Sequence, residues 1–178
     1  DLPCFGIRTL TTELLGRLRE KGLMVKFMLH GRASGTGYAA AVEPTLMAFG
    51  SVEAAVPENY NIATLEGATI GTLKFYGQGA GGDPTGNAVV QDLLDCAEGR
   101  PQALELTREL AWEPELLRCD HVVAVNEGAA AALPADAEPF AEGMYFVPGR
   151  THEELAAIMA QVAEKDPAPF AAMFEPAR

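Results

Sequence analysis

The chain has 178 residues, of which 48% are hydrophobic and 21% are charged, so it can bury a sizeable core. Its 13 basic and 25 acidic residues give a formal net charge of −12, which repels phosphate backbones and anionic lipid surfaces. We therefore expect no nucleic acid and no membrane among its partners. Its apolar runs also fall short of the ~20 residues that a membrane-spanning helix needs.

The cysteines and the start of the chain bear on its compartment and its completeness. Cys4, Cys96 and Cys119 are widely spaced and form no CxxC pair, which indicates neither a zinc site nor a disulfide framework. Buried, reduced thiols in a cytoplasmic protein are the simplest interpretation. The chain starts at Asp1 and has no signal peptide, and we expect it to begin inside a longer protein.

The first segment predicts one helix and two strands. Thr11 can cap a helix with a leucine stripe, and Gly22 can close that helix in a left-handed conformation. Residues 24–30 and 38–43 are rich in residue types common in strands. They predict a pair of neighbouring strands, of which the second ends at Pro44.

The next segment predicts a hairpin, a glycine-rich loop and a helix. Residues 61–65 and 69–76 read as two strands that turn at Glu66-Gly67, since glycine suits the second place of a tight turn. After the loop, a helix is expected from about Thr85 to Ala97. The side chains expected to point inward from this helix are Val89, Val90, Leu93 and Leu94.

The composition changes after Gly99, and we place a domain boundary near residue 100. The second half predicts a helix over 102–112, a strand over 121–125, an exposed low-complexity loop over 127–142, a strand over 144–147, a helix capped by Thr151 and a proline-rich tail. The pattern as a whole predicts an α+β fold. We expect a mixed, mostly antiparallel sheet of about four strands with helices on one face, plus a small α/β extension at the C-terminus.

The loop between the hairpin and the following helix is the segment that ordinary composition does not explain. It contains Gly77, Gly79, Gly81 and Gly82, and this many glycines cost backbone entropy on folding. Such a cost is tolerated where the backbone takes positive φ or where another group approaches it closely. Because the loop lies between a strand and a helix N-terminus, its amide groups favour an anionic or carbonyl-bearing ligand.

Three interpretations of this loop remain open from the residues alone. Gly77, Gly79 and Gly82 match the spacing GxGxxG of a dinucleotide-binding Rossmann domain, but the preceding strand belongs to a hairpin and Pro84 lies where that helix would already run. A purely structural glycine turn is the second interpretation. The third, which we favour, is a backbone surface that faces a cofactor or substrate held mainly elsewhere.

At this loop the sequence resembles the homoserine dehydrogenase family. The motif that carries this resemblance is FYGQGAGGDPT at Phe75–Thr85, which is similar to the end of the catalytic region in that family. Upstream, the segment Val42–Leu46 resembles a family motif in which histidine or glutamate is followed by proline, threonine and leucine. Asn61 with Leu65-Glu66-Gly67 resembles the asparagine and the glutamate-glycine pair of the family's hairpin. The resemblance spans about residues 5–98.

The resemblance implies an enzyme that interconverts L-aspartate semialdehyde and L-homoserine with NAD or NADP, in the synthesis of threonine, methionine and isoleucine. It implies a homodimer in which an N-terminal Rossmann domain holds the nucleotide and a second domain supplies the substrate site. Residues 1–99 would form this substrate and dimerisation part. The resemblance places Gly81 against the cofactor, with Gly79, Ala80, Gly82 and Thr85 as its loop neighbours.

The departures from the family pattern limit what this chain is expected to do alone. The family's Rossmann fingerprint, catalytic lysine and acidic substrate-binding residues all precede the matched stretch, and none has a counterpart here. We therefore expect no catalytic residue and no metal ligand in this chain, and no activity without the missing domain.

Residues 100–178 do not resemble the catalytic region. Some family members end in a regulatory ACT domain, and residues 143–163 resemble part of one, so a partial ACT-like remnant is one interpretation of this extension. The rival to a dehydrogenase fragment is a non-catalytic regulatory or amino-acid-binding module. The histidines offer no further site, since none has an acidic or thiol partner at a recognisable spacing, and His30 and His152 are expected at the surface.

Overall fold

The computed structural model describes residues 4–100 and 109–175. The chain divides into two compact units, of which unit 1 comprises Asp1–Ala54 and Leu110–Arg178, and unit 2 comprises Ala55–Glu109. The elements in chain order are α1 (Thr12–Glu20), β1 (Leu23–Ala33), β2 (Gly37–Ala48), β3 (Tyr60–Gly67), β4 (Gly71–Gln78), α2 (Gly82–Ala97), β5 (Ala111–Trp112), β6 (Cys119–Ala124), β7 (Glu138–Ala141), β8 (Met144–Arg150), α3 (His152–Ala163) and β9 (Phe170–Glu175).

Unit 1 is built on one open sheet of seven strands. The strands lie in the order β1-β2-β9-β6-β8-β7, and the short β5 also pairs with β2. The pairings of β2 with β9 and with β5 are parallel, while the other pairings in this sheet are antiparallel. This arrangement confirms the predicted class, an α+β fold with a mixed, mostly antiparallel sheet.

The helices of unit 1 cover both faces of this sheet, whereas the sequence predicted helices on one face. Because neighbouring residues of a strand point to opposite faces, Val122 and Val123 belong to two different core clusters. Leu18 of α1 packs in the first cluster, and Leu155 of α3 packs in the second. The periodicity of each helix shows that it has an apolar face but not which face of the sheet it covers.

The C-terminal part of unit 1 has the connectivity of a ferredoxin-like split βαβ motif. Its chain order is β6, a short 3-10 helix at Glu127–Ala132, β7, β8, α3 and β9, and its sheet order is β9-β6-β8-β7. The 3-10 helix occupies the place of the first helix of the motif. Residues 119–175 are called the ferredoxin-like unit below.

Two strands of this unit were missed in the sequence. The predicted loop over 127–142 contains β7, and the predicted proline-rich tail contains β9. Both strands are short and rich in alanine or proline, so they lack the local signals of a strand. They exist because β7 pairs with β8, and β9 fits between β2 and β6.

The compact units differ from the boundary predicted near residue 100. Residues 110–178 lie in the same unit as residues 1–54, because β9 and β5 pair with β2. The predicted helix over 102–112 falls partly on residues 101–108, which lie outside the described residues, and its end is the strand β5 instead. The functional roles expected for residues 1–99 and 100–178 stay predictions.

Strand β2 is longer than predicted and runs past Pro44. Proline lacks an amide donor, so it is usually found at the edges of sheets. Pro44 immediately precedes Thr45–Met47, the stretch of β2 that pairs with β9, so on that side it lies at an edge. The strand therefore continues through the proline to Ala48.

Unit 2 consists of the β3–β4 hairpin and helix α2. The hairpin pairs from Tyr60 with Gln78 to Gly67 with Gly71, so its turn lies at residues 68–70 and not at Glu66-Gly67 as predicted. Gly71 takes a φ of 66°, which allows the chain to leave this longer turn. Among the described residues of unit 2, the hairpin does not enclose α2, and this helix has no buried residue.

The apolar side chains of α2 were predicted to point inward, and the structure corrects this prediction. The four side chains are at least half exposed, and the most exposed, Leu93, reaches 64%. The sequence pattern correctly showed an apolar stripe but not whether this chain covers it. None of the helices in the described ranges is long and apolar enough to cross a membrane.

We predict that Leu155→Ala lowers the free energy of unfolding of unit 1 by about 2–5 kcal/mol, because Leu155 is fully buried in a core cluster that includes Val123 of β6 and Ala171 of β9. Urea unfolding followed by fluorescence of the single tryptophan, Trp112 in unit 1, measures this change. The control Gln161→Ala alters an exposed position of the same helix. A loss for Leu155→Ala no larger than that of the control would contradict the packing described here.

Candidate functional site

The glycine-rich loop joins the end of β4 to the start of α2 and is held by two hydrogen bonds to Asn59. The amide of Gly79 donates to the Asn59 carbonyl oxygen at 3.0 Å. The Asn59 side-chain amide donates to the Ala80 carbonyl oxygen at 2.7 Å. These bonds use the polar groups of the inner side of the loop and define its path into the helix.

The local geometry favours glycine at two positions of the loop. A Cβ on Gly79 would collide with the side-chain amide of Asn61, the residue that faces Gly77 across the hairpin. Gly81 has a φ of 112°, a conformation that side chains rarely adopt, and it occupies the N-cap position of α2. Both glycines therefore also have a structural reason to be glycine.

The loop residues that are expected to face the cofactor all lie at the surface of unit 2. Gly79, Ala80, Gly81, Gly82 and Thr85 are exposed. No side chain caps the N-terminus of α2. The amide of Thr85 donates the first helical hydrogen bond to the Gly81 carbonyl oxygen. The first-turn amides before Thr85 therefore have no side-chain acceptor. The loop thus presents bare main chain, as its glycine content predicts.

Aromatic stacking supports the strands that carry the loop. The rings of Tyr60 and Tyr76 stack across the hairpin, with centroids 5.0 Å apart and planes inclined by 14°. The side-chain amide of Gln78 donates to the Tyr60 hydroxyl at 3.3 Å. The last residues of β4 therefore have partners on β3 up to the position where the loop begins.

A second group of chemically active side chains lies inside unit 1 and was missed in the sequence. Glu43 and His121 are each 1% exposed, and His152 is 8% exposed. Glu43 Oε2 lies 3.4 Å from His121 Nε2, and Glu43 Oε1 lies 3.9 Å from His152 Nδ1. We call these three residues the buried Glu–His cluster.

Strand register explains why the cluster forms. Thr45, Met173 and His121 pair in a row across β2, β9 and β6, so they share one face of the sheet. Glu43 lies two residues before Thr45 and points to the same face. Helix α3 begins above this face at His152, whose ring stacks on Phe5 at a centroid distance of 4.2 Å.

Burial and ion pairing act in opposite directions on Glu43. Burial raises the pKa of this carboxyl group, but the neighbouring His121 and His152 outweigh burial and lower the pKa to about 2. The carboxylate is therefore charged at neutral pH although it is buried. The distances to the two rings, 3.4 Å and 3.9 Å, are longer than those of short hydrogen bonds.

The sequence-based placement of the histidines is corrected by these contacts. His152 is buried rather than at the surface, and His30 is half-buried with Nε2 2.7 Å from the Thr45 hydroxyl. Burial is also the main cause that lowers the pKa of His30. Spacing along the chain gave no sign that Glu43 is the partner of His121 and His152, because elements that are distant in sequence bring these residues together.

The cysteines do not form a site. Cys4 and Cys96 are exposed free thiols, which corrects the expectation that all three are buried, and Cys119 is half-buried. Within residues 4–100 and 109–175, no group of three or more His, Cys, Asp or Glu side chains has an arrangement that could hold a metal ion.

Comparison with known proteins places these features in a family. A family model for homoserine dehydrogenase matches residues 1–94. The homoserine dehydrogenase of Pseudomonas aeruginosa is 30% identical over 128 residues, which cover 71% of this chain and 29% of the relative. That of Corynebacterium glutamicum is 29% identical over 105 residues, which cover 56% of this chain and 24% of the relative. The chain spans about a quarter of the length of these curated relatives.

Solved structures show the same fold over almost the entire chain. A homoserine dehydrogenase from Thiobacillus denitrificans matches with a TM-score of 0.68 at 21% identity, over 98% of this chain and 48% of that chain. The S. aureus homoserine dehydrogenase at pH 8.5 matches with a TM-score of 0.56 at 26% identity, over 96% of this chain and 46% of that chain. This chain spans about half the length of these solved proteins.

The relatives and solved structures that match this chain are all homoserine dehydrogenases, which are oxidoreductases. Because the family model covers more than half of the 178 residues, the chain belongs to the homoserine dehydrogenase family. The resemblance carried by the motif at Phe75–Thr85 is thereby confirmed.

We predict that Glu43 makes the stability of unit 1 sensitive to acid. Since the folded pKa of about 2 lies below the ordinary value of 4.5, its stabilising contribution is complete above pH 4.5 and is lost as the pH falls toward 2. Urea unfolding at several pH values should show a flatter acid limb for Glu43→Gln than for the unaltered chain. The exposed Glu138→Gln serves as the matched control, and equal acid limbs for both variants would refute the assignment.

Proposed function

We propose that this chain forms the substrate-side part of a homoserine dehydrogenase, which interconverts L-aspartate semialdehyde and L-homoserine with NAD or NADP. Family membership supports the class of reaction. The observation that carries the assignment of a cofactor-facing surface is the exposed loop Gly79–Gly82 at the uncapped start of α2. In this proposal the enzyme acts in the synthesis of threonine, methionine and isoleucine.

The loop fits a nicotinamide nucleotide that another domain holds. Gly81 has no side chain and is exposed, so a flat ring can approach its main chain closely. The uncapped amides of Gly82 and Asp83 favour a group that accepts hydrogen bonds. Because the exposed carboxylate of Asp83 lies in the same turn, an uncharged carboxamide suits this loop better than a free phosphate.

The contribution of the chain to the chemistry is positioning. The bound nucleotide supplies or accepts the hydride, and the protein aligns the two reacting carbon atoms. Gly79, Ala80, Gly82 and Thr85 keep Gly81 in place through the bonds to Asn59 and the first turn of α2. Close approach at one wall of a cleft lowers the entropy cost of bringing the reactants together.

Helix α2 supports the existence of a partner domain. Its apolar side chains are exposed, and contiguous exposed apolar surface marks an interaction site. The homologues are longer than this chain, because the matched part covers 48% of the T. denitrificans protein and 24% of the C. glutamicum protein. In this proposal, an N-terminal Rossmann domain covers the apolar surface of α2 in a homodimeric, cytoplasmic enzyme. That domain also determines whether the enzyme uses NAD or NADP.

A second candidate function follows from the ferredoxin-like unit. Its strand order is the one on which an ACT-like regulatory module is built, so an amino-acid-binding role for residues 119–175 is the alternative to a catalytic part. Calorimetry of the 178-residue chain with threonine, methionine and isoleucine separates the two. Saturable binding supports the regulatory module, and absence of heat favours the dehydrogenase part.

We predict that the purified 178-residue chain neither oxidises homoserine nor binds NAD(P) tightly, because no Rossmann domain is recognisable in its sequence. Absorbance at the NAD(P)H band during incubation with homoserine measures turnover, and the P. aeruginosa homologue is the positive control. Turnover by the isolated chain at a rate comparable with that homologue would refute the need for a second domain.

The role of the loop is tested in a chimera in which this chain replaces the matching part of the T. denitrificans homologue. There Gly81→Val is expected to lower kcat/KM by on the order of 10²-fold, because a side chain displaces the nicotinamide from its reactive position. Gly86→Ala is the matched control, since Gly86 lies in α2 with open space around it. Equal activity of the two variants would show that the loop does not face the cofactor.

A further inference from the structure

The turn that precedes β3 contains a strained residue next to the one that holds the glycine-rich loop. The amide of Tyr60 donates to the Pro57 carbonyl oxygen at 3.0 Å, which closes a turn with Glu58 and Asn59 at its centre. Glu58 has a φ of 42°, in the left-handed region that residues other than glycine seldom adopt. Such strain costs free energy and persists mainly at functional positions. The strain therefore indicates that the placement of Asn59 has a use beyond the stability of the turn.

Asn59 contacts the loop through both its main chain and its side chain. Its carbonyl oxygen accepts from the Gly79 amide at 3.0 Å, and its side-chain amide donates to the Ala80 carbonyl oxygen at 2.7 Å. Asn59 is partly buried, whereas the loop residues are exposed. These two bonds to consecutive residues fix the rotation of the peptide group that joins Ala80 to Gly81.

The rotation of this peptide group determines the direction of the Gly81 amide. In a trans peptide the carbonyl and the N–H point in opposite directions, and none of the described peptide bonds is cis. Because the Ala80 carbonyl oxygen points at the side chain of Asn59, the Gly81 N–H points away from Asn59. Gly81 is exposed, so a ligand can reach this donor.

We propose that Asn59 is a positioning residue, which turns the Gly81 N–H toward the carboxamide oxygen of the nicotinamide. This inference rests on the proposed function, because another domain must bring the nucleotide to the loop. Asn59 itself touches neither the nucleotide nor the substrate and acts through the peptide group between Ala80 and Gly81. When the bond from Asn59 is lost, this peptide group can rotate, and the nicotinamide ring is aligned less precisely with the substrate.

The role depends on a hydrogen-bond donor at position 59. Asparagine offers an amide that donates, whereas an ionised aspartate of the same shape can only accept. Asn59→Asp therefore places a carboxylate against the Ala80 carbonyl oxygen, and the two acceptors repel each other. Asn59→Ala removes the donor without this repulsion.

Nuclear magnetic resonance of the full 178-residue chain tests the first step without any nucleotide. In a weakly aligned sample, the residual dipolar coupling of the Gly81 N–H reports its direction relative to the N–H groups of β3 and β4. We expect this direction to change in Asn59→Asp and to stay the same in Gln161→Ala, which removes an exposed side-chain amide from unit 1. Asn59→Ala replaces the aspartate variant if the hairpin couplings show that the latter does not fold. An unchanged Gly81 direction in a folded Asn59 variant would overturn the proposal.

Kinetics of the full-length chimera test the second step. Asn59→Ala is expected to lower kcat by about tenfold, the size of one hydrogen bond, with little change in the KM for the nucleotide, which is held mainly by the other domain. Gln161→Ala is the matched control. A change in KM alone, or a kcat equal to that of the control, would refute a positioning role.

Two nucleotide analogues identify the atom that receives the bond. The 3-acetylpyridine analogue keeps the carbonyl oxygen, whereas the thionicotinamide analogue replaces it with sulfur, a weaker acceptor. Asn59→Ala should therefore cost about tenfold in kcat with the first analogue and little with the second, as in a double-mutant cycle. Equal losses with both analogues would contradict a bond from Gly81 to the carboxamide oxygen.

These experiments separate a failure of this inference from a failure of the proposed function. If Gly81→Val is as active as Gly86→Ala, the loop does not face the cofactor, and the role of Asn59 falls with it. If Gly81→Val is impaired while Asn59→Ala turns over like Gln161→Ala, the loop still faces the cofactor, and only the role of Asn59 is wrong.

Discussion

The parallel pairing of β2 with β9 is the constraint on which the rest of unit 1 depends. It joins Thr45–Met47 to Met173–Glu175, two segments that are far apart in the sequence, so its formation closes a long loop at a cost in entropy. The burial of Leu46, Ala172 and Met173 offsets this cost. Because β9 also pairs with β6, the same contact sets the register of the ferredoxin-like unit against β2 and brings Glu43 to the histidines.

How much could be predicted from the sequence depends on whether the signal was local. The cap of α1 by Thr11 and the capping box of Thr151 with Glu154 need only a few consecutive residues, and both are present. Strand β9 has no such signal, because FAAMFE lacks a clear alternation and follows prolines. Its conformation is determined by β2 and β6, which hydrogen-bond to it from both sides, and no window of sequence contains that information.

The same difference separates the two sites. The glycine loop is a run of consecutive residues, so its backbone chemistry could be predicted, and the structure adds only the reasons at Gly79 and Gly81. The buried Glu–His cluster combines three residues from three elements, and their spacing in the sequence resembles no known motif. A charged residue in the buried stretch of β2 was the available signal, since Glu43 is flanked by residues that read as a core strand.

The two units differ in how much of their apolar surface is buried, and this difference bears on function. In unit 1 the core side chains of α3 and β9 are nearly inaccessible, whereas in unit 2 Phe75 of β4 is 57% exposed. Burial of apolar surface stabilises a protein by roughly 25 cal/mol per Å², and exposed apolar surface lacks this stabilisation. A large exposed apolar surface is therefore found in folded proteins mainly where a partner covers it. In unit 2 this surface and the bare glycine backbone belong to the same hairpin and helix. Both features support the proposal that unit 2 carries a surface for a cofactor and the domain that holds it.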